Sequence, residues 1–188
     1  MTERWRCFVA APIPPGLRAS LAKVVAPWGA DPALRWSAPE SWHLTLAFLG
    51  AVDPKTVDEV RARASEVAGR HAAMRLVAGG IGAFPSASRA RVVWYGVQDH
   101  DGRLAALAGD LARSLRLDAE SPFRAHVTLA RVRRGSADLR GWLAEASASS
   151  PAGMLDVRQL DLMRSHLGQG APRYETLATM ALGGSASG

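Results

Sequence analysis

The chain has 188 residues, of which 48% are hydrophobic, enough to fill the core of one large domain or of two small lobes that share an interface. It has no apolar run of about 18 residues, the length of a membrane-spanning helix, and no signal-peptide layout at its N-terminus, so we expect a soluble, cytoplasmic protein without membrane contact. The single cysteine, Cys7, excludes an intrachain disulfide and a cysteine-rich metal site.

The formal net charge of +6 favours an anionic partner, such as nucleic acid or a phosphorylated small molecule. Of the 23 basic residues only Lys23 and Lys55 are lysines, so the excess is nearly all arginine, which binds phosphate through a planar, bidentate guanidinium. Codon bias explains the same arginine content equally well, so the charge alone does not decide between these interpretations.

The first half of the chain predicts a mixture of strands and helices. We expect a strand over 6–11, a helix over 17–26, a proline-containing loop over 28–40 and a strand over 43–49 that ends at Gly50. Asp53 and Pro54 have the residue types of a helix start, with the helix running to about residue 71. Two further strands are expected over 74–78 and 90–97.

The second half repeats this kind of order. The leucines of 101–117 fall on one helical face, 125–132 alternates as a strand does, 136–146 reads as a short helix, and 155–163 and 174–182 read as closing strands. Helices and strands do not alternate strictly, which favours two similar α+β lobes over a doubly wound sheet. We therefore expect one bilobal domain over 1–182 and a flexible tail over 183–188.

A short repeat links the two halves. His43-Leu44-Thr45-Leu46-Ala47 recurs as His126-Val127-Thr128-Leu129-Ala130. Because successive side chains of a strand point to opposite faces, each histidine shares a face with its threonine, while the intervening apolar residues point to a core. Each predicted strand therefore offers a polar pair to a cleft.

If the lobes are related by an approximate two-fold axis, the two polar pairs face each other across one groove. Two imidazoles with ordinary pKa values near ~6.5 form a natural acid and base pair at neutral pH. The hydroxyls of Thr45 and Thr128 would donate hydrogen bonds to the non-bridging oxygens of an anion. This combination is suited to displacement at phosphorus.

These motifs resemble those of the 2H phosphoesterase superfamily, and more narrowly its RNA 2',3'-cyclic phosphodiesterases, also called 2'-5' RNA ligases. The resemblance extends over nearly the whole chain through flanking segments at 6–10, 42–50, 91–94, 122–123 and 173–174. It implies a bilobal fold in which antiparallel sheets line a central groove and helices lie outside. It also implies that neither a metal nor another cofactor is needed.

The resemblance further implies an activity and a role for each histidine. RNA ending in a 2',3'-cyclic phosphate would be opened to a 2'-phosphomonoester, with His126 accepting the proton of the attacking water and His43 protonating the departing 3' oxygen. The reverse reaction with a 5'-hydroxyl strand would give ATP-independent 2'-5' ligation. Thr45 and Thr128 would bind the phosphate.

Other residues carry a functional and a structural interpretation side by side. A similarly placed arginine in the family is associated with the phosphate, but strand alternation aims Arg131 away from His126, and Phe48 likewise has the parity of core residues, which favours packing over base stacking. For Trp42, the two interpretations are that its indole lines the nucleotide site or that it is buried in the core. Arg173 and Tyr174 either bind the substrate or are ordinary residues of an edge strand. For His166, solvent exposure is favoured over a position at the groove.

Two alternatives stay open. One keeps the chemistry but changes the substrate to another cyclic phosphate or a 2'-5'-linked oligonucleotide, and the other is a non-catalytic RNA-binding module. The sequence has no GxxxxGK[ST] loop and no G-x-S-x-G, which argues against ATP-driven ligation and serine hydrolase chemistry. Without a heptad seam, we expect a monomer, and no protein partner is inferred.

Overall fold

The computed structural model describes residues 3–29, 31–118, 122–166 and 173–183, and its elements lie within those ranges. The strands are β1 (Trp5–Pro12), β2 (Leu34–Trp36), β3 (His43–Val52), β4 (Met74–Phe84), β5 (Val92–Gln98), β6 (His126–Val132), β7 (Gly153–Val157), β8 (Gln159–His166) and β9 (Arg173–Ala181). The helices are α1 (Pro15–Val25), α2 (Val57–Arg70), α3 (Arg103–Ser114) and α4 (Arg140–Ala148). The predicted tail lies outside the described residues beyond Gly183.

All strand pairs of the sheet are antiparallel, and the strands follow the order β7-β4-β5-β6-β3-β1-β8-β9, with β2 added beside β6. Two four-stranded halves join in the middle, where Leu44 of β3 pairs with Val127 of β6. The strands that carry the repeated motif are therefore neighbours at the centre of one curled sheet. The predicted α+β class is confirmed, and the lining sheets are one continuous sheet.

Two of the four helices pack on the half of the sheet opposite to the strand that they follow. Helix α1 follows β1 but contacts β7 of the other half, and α3 follows β5 but contacts β3 and α2. Helix α4 lies on β4, and α2 lies on β8 and β9. The chain thus crosses between the halves repeatedly, which ties their apolar layers into one core.

Helix α3 shows how the sequence pattern positions a helix. Leu104, Leu107, Ala108 and Leu111 recur at helical spacing and are all buried, as the leucine pattern predicts. The helix covers the outer face of the sheet behind β3, so its packing supports the strand that carries His43.

Shortening one of these leucines tests that support. Leu107 is fully buried, so Leu107→Ala should lower the free energy of unfolding by about 2–5 kcal/mol through lost burial and a residual cavity. Leu107→Met keeps nearly the same volume and should cost less than about 1.5 kcal/mol. Urea denaturation followed by circular dichroism measures both; equal losses would contradict the packing account.

Several element predictions need correction. The predicted loop over 28–40 contains the three-residue strand β2, which pairs with β6. The prolines around it favour a loop in the sequence-based prediction. The predicted strand over 155–163 is two strands, since β7 pairs with β4 and β8 pairs with β1. Gly50 does not end β3; it pairs with Cys7 at a φ of +67° and the strand continues to Val52.

Smaller differences concern element ends. Strand β4 extends to Phe84, well beyond the predicted 74–78, and α4 begins at Arg140 rather than at 136. Asp53 caps a 3-10 turn at Pro54–Thr56, where its side chain accepts from the Lys55 N–H, and the α-helix begins only at Val57. Among the described residues, no helix has both the length and the apolarity needed to cross a membrane.

Candidate active site

A β-bulge follows the His-x-Thr pair in both copies of the motif. In β3, Thr45 pairs with Ala10 while Ala47 pairs with the next residue, Val9, so Leu46 is an extra residue. Leu46 and Ala47 are consecutive and both buried, at 6% exposure each. One extra residue shifts the side chains that follow it to the opposite face of the strand, in β3 as far as a second irregularity at Leu49.

Strand β6 carries the same irregularity. Thr128 pairs with Trp94 and Ala130 pairs with Val93, which leaves Leu129 as the extra residue, and Leu129 and Ala130 are fully buried. The repeated Leu-Ala dipeptide is therefore the position of the bulge in each half.

The bulges overturn two predictions based on strand alternation. Phe48 follows the bulge of β3, so it shares the face of His43 and Thr45 and is 64% exposed instead of buried in the core. Arg131 follows the bulge of β6 and shares the face of Thr128 instead of pointing away. Phe48 and Arg131 thus occupy equivalent positions in the two halves.

The four polar residues of the motifs lie on one face of the sheet. Extending the Leu44–Val127 register by one residue in each direction places His43 beside Thr128 and Thr45 beside His126. Cβ atoms of such cross-strand neighbours are about 4.5–5.5 Å apart, and diagonal ones about 7–8 Å. The two imidazoles are diagonal neighbours, one from each half.

A cavity of ≈ 430 Å³ opens on this face. Six of the nine residues predicted for catalysis, phosphate binding or substrate binding line it: His43, Thr45, Phe48, Thr128, Arg131 and Tyr174. His126, Trp42 and Arg173 do not. His126 lies on the same face at the register position beside Thr45, outside the cavity lining.

Both imidazoles are held in the same way by the chain just before them. His43 Nδ1 lies 2.7 Å from the carbonyl oxygen of Ser41, and His126 Nδ1 lies 2.6 Å from that of Arg124. Because a carbonyl only accepts, Nδ1 carries the proton in each ring and donates it. This assigns Nε2 as the nitrogen available for proton transfer in both histidines.

Aromatic rings fix the orientation of each imidazole. Phe8 stacks on His43 with ring centroids 4.7 Å apart, and Tyr174 meets the same ring edge-on at 5.1 Å. Phe84 meets His126 edge-on at 5.0 Å, with the guanidinium of Arg124 over the Phe84 ring. Sequence reasoning did not single out Phe8 or Phe84, and alternation within a strand gives no signal for either contact.

The surroundings lower the pKa of both histidines, for partly different reasons. Burial lowers the pKa of His43 and is only partly offset by the hydrogen bond to Ser41. Burial also lowers the pKa of His126; the hydrogen bond to the Arg124 carbonyl partly offsets this, and the positive charges of Arg131 and Arg124 lower the pKa further. The guanidinium groups thus disfavour protonation of His126 in particular.

These shifts predict a titration result. Both imidazoles should show midpoints below the ordinary value of ~6.5, so both are mainly neutral at pH 7 in the free protein. Arg131→Gln removes a nearby positive charge and should move the midpoint of His126 upward more than that of His43. Proton NMR of the imidazole C–H signals measures both, and a larger shift at His43 would contradict the stated electrostatics.

Three arginines give the cavity its charge. Arg6, Arg35 and Arg131 all line it, and none of them forms an ion pair with a described carboxylate. Burial raises the pKa of Tyr174, and the same three arginines act in the opposite direction. Arg6 and Arg35 were not predicted, although an arginine-rich composition pointed to phosphate in general.

The remaining predicted residues lie elsewhere. Trp42 is 3% exposed and belongs to the core, so indole burial is the better description, although it also borders a smaller cavity beside the first. Arg173 is exposed at the start of β9 and lines neither cavity. His166 is exposed and its Nε2 lies 2.8 Å from Glu175. The described residues include no group of three or more metal-ligating side chains.

A curled antiparallel sheet with one His-x-Thr pair from each half on a shared face defines the class of 2H phosphoesterases. The chain belongs to the LigT-like phosphoesterase family, whose model matches residues 11–94 and 96–174. The match extends over both copies of the motif. The resemblance noted from the sequence is therefore confirmed.

Individual proteins show the same relationship. The chain is 30% identical to the RNA 2',3'-cyclic phosphodiesterase of Archaeoglobus fulgidus over 92% of this chain and 97% of that protein. It is 30% identical to the protein of that name from Escherichia coli K12, over 97% of this chain and 99% of the relative. The crystal structure of E. coli LigT complexed with 3'-AMP superposes with a TM-score of 0.77 at 26% identity, covering 96% of this chain and 99% of that one.

Proposed function

We propose that this protein is an RNA 2',3'-cyclic phosphodiesterase. The observation that carries the proposal is the joining of β3 and β6 at Leu44 and Val127, which puts two Nδ1-anchored imidazoles and two threonine hydroxyls on one face. Relatives that span nearly the whole chain bear this name. The proposal treats residues 1–182 as one catalytic domain with a lobe on each side of the groove.

In the proposed reaction, water attacks phosphorus in line with the bond to the 3' oxygen. His126 Nε2 accepts a proton from the water as the new P–O bond forms, and His43 donates a proton to the 3' oxygen as the P–O3' bond breaks. The product is a 2'-phosphomonoester with a free 3' hydroxyl. No electron transfer is needed, and the two histidines end with their protonation states exchanged.

The electrostatics support this division of roles. Burial, together with the positive charges of Arg131 and Arg124, lowers the pKa of His126, as suits a base, whereas no cationic side chain of the described residues contributes to the lowered pKa of His43. An anionic phosphate bound between the rings favours the protonated form of the acid. Substrate binding therefore raises the pKa of His43 from its lowered value in the free protein, so that His43 becomes protonated when the substrate is bound.

The other groups of the groove complete the proposed site. Thr45 and Thr128 donate to the non-bridging oxygens, and Arg131 compensates their negative charge. Phe48, exposed on the same face, offers a surface on which a base stacks. Tyr174 forms the wall behind His43, with its ring edge-on to the imidazole.

Product analysis tests the function. An RNA oligonucleotide ending in a 2',3'-cyclic phosphate, incubated with the protein in EDTA, should give the 2'-phosphate, identified by phosphorus NMR against authentic 2'- and 3'-phosphate standards. A 3'-phosphate product would contradict the assigned leaving group. Absence of turnover together with retained RNA binding would favour the non-catalytic RNA-binding alternative.

The substrate alternatives are separated by the same assay. Another cyclic phosphate or a 2'-5'-linked oligonucleotide would be turned over faster than the RNA end if either is the preferred substrate. Reverse 2'-5' ligation would appear as a longer product when a 5'-hydroxyl strand is present. Metal independence, a monomeric state and a cytoplasmic location stay predictions from the sequence.

A further inference from the structure

We propose that Arg35 binds the phosphodiester on the 5' side of the terminal nucleotide, so that the site favours polynucleotide ends over isolated nucleoside cyclic phosphates. The inference rests on the proposed function and adds a specificity-determining residue to it. Its starting point is the pairing of Arg35 on β2 directly opposite Arg131 on β6.

Two arginines opposite each other are unfavourable unless an anion lies between or above them. Like charges at directly paired positions destabilise a sheet. Both side chains are exposed, both line the ≈ 430 Å³ cavity, and neither forms an ion pair with a carboxylate of the described chain. Such a pair is typical of a binding site for phosphate.

The backbone that presents Arg35 is firmly held. Leu34 is 2% exposed in the core, and Trp36 Nε1 donates to the carbonyl oxygen of Trp28 at 3.0 Å. The Ser37 N–H donates to Leu129 at 2.8 Å and the Arg133 N–H donates to Ala33 at 2.9 Å. The three-residue strand thus keeps Arg35 at a fixed position beside Arg131.

The charge of the cavity exceeds what one phosphate needs. A cyclic phosphodiester carries a single negative charge, and Thr45, Thr128 and Arg131 already serve it in the proposed mechanism. Arg35 adds a further positive charge next to Arg131. RNA supplies a second phosphate on the 5' side of the same nucleotide, which matches this surplus.

The chemistry of ribose indicates which end of the groove takes that phosphate. The cyclic phosphate is bonded to the oxygens of C2' and C3'. The base is attached to C1', next to C2', and the 5' chain is attached to C4', next to C3', so the two extend from opposite sides of the cyclic phosphate. In the groove, Phe48 and Arg131 are the equivalent residues that flank the two polar pairs from opposite halves. A base on Phe48 therefore directs the 5' phosphate towards Arg131 and its neighbour Arg35.

Turnover of two matched substrates tests the inference. The wild-type protein should have a higher kcat/KM for a dinucleotide ending in a cyclic phosphate than for the 5'-hydroxyl nucleoside 2',3'-cyclic phosphate with the same terminal base. Arg35→Gln should lower kcat/KM for the dinucleotide by about 10- to 100-fold, the loss of one charge-assisted contact, and affect the mononucleotide far less. Arg158→Gln, the same charge change at an exposed position outside both cavities, should leave the preference unchanged.

Salt dependence provides a second readout. Loss of one phosphate contact to a single strand should make the slope of log(kcat/KM) against log salt shallower by about 0.7 for the dinucleotide. Arg35→Lys keeps the charge and should retain most of that slope. Equal losses of kcat/KM on both substrates would show that Arg35 acts on the cyclic phosphate itself, which overturns the inference but not the proposed function.

Binding separates the failure of the two proposals. A nucleoside 2',5'-bisphosphate should bind more tightly than the 2'-monophosphate by calorimetry, and Arg35→Gln should remove the difference. This result in a protein that turns over no cyclic phosphate would uphold the subsite and refute the proposed function. Equal affinity for the two ligands in the wild-type protein would overturn the subsite.

Discussion

Replacing either His43 or His126 by alanine should lower kcat on an RNA 2',3'-cyclic phosphate by about 10²–10⁴-fold, the usual contribution of one acid or base group. In-line displacement needs proton transfer on both sides of phosphorus, and each half of the sheet supplies one imidazole for it. Because the two groups act in the same transition state, the double variant should be scarcely slower than the slower single variant. Steady-state kinetics on a fluorescent oligonucleotide with a cyclic phosphate end measures all three.

The chain offers a matched control for this prediction. His100 is exposed and its ring contacts only Gln98 among the described hydrogen-bond partners, so His100→Ala should leave kcat unchanged. Full activity of the double variant would show that neither histidine takes part in the reaction. Losses that multiply fully would show that the two imidazoles act in separate steps.

The second large effect is expected at the threonine hydroxyls. Thr45→Val or Thr128→Val removes one donor while keeping the side-chain shape, and should lower kcat by about 10²–10³-fold. The loss should fall on kcat more than on KM, because negative charge on the non-bridging oxygens increases in the transition state. Rates over a range of substrate concentrations separate the two parameters.

Thr179 is the matched position outside the groove. It lies exposed on β9, where its Oγ1 donates to Asp161 at 2.8 Å, and it lines neither cavity. Thr179→Val should leave both parameters unchanged. An increase in KM without loss of kcat in Thr45→Val would mean that this hydroxyl binds the ground state only, against the proposed role.

The pKa shifts add a pH dependence to the histidine prediction. Because the pKa of His43, the proposed acid, is lowered, the fraction in the required protonated form falls as pH rises above it, and kcat/KM should decline accordingly on the alkaline side. On the acidic side, protonation of His126 removes the proposed base, and because the pKa of His126 is lowered, the decline in kcat/KM there should occur at low pH. The two limbs belong to the coupled pair rather than to either residue alone.

The sequence by itself predicted the pairing of each histidine with its threonine and most of the scaffold. The two His-x-Thr copies are local patterns, and strand alternation places each histidine with its threonine without knowledge of the partner strand. The apolar spacing of α3 likewise predicts its buried face, since the period of a helix depends only on its own backbone. These features are local, so they could be predicted.

The tertiary structure decided which further side chains share the face of the two His-x-Thr pairs. A bulge exists only relative to the pairing strand, so the register against β1 and β5 was needed to place Phe48 and Arg131 on the site face, although the adjacent apolar residues Leu46 and Ala47 break the alternation and give a signal. The strand that carries Arg35, and the division of 155–163 between two distant partners, depend on pairing across the sheet. Long-range pairing is set by the packing of the whole core, which no local period of the sequence records.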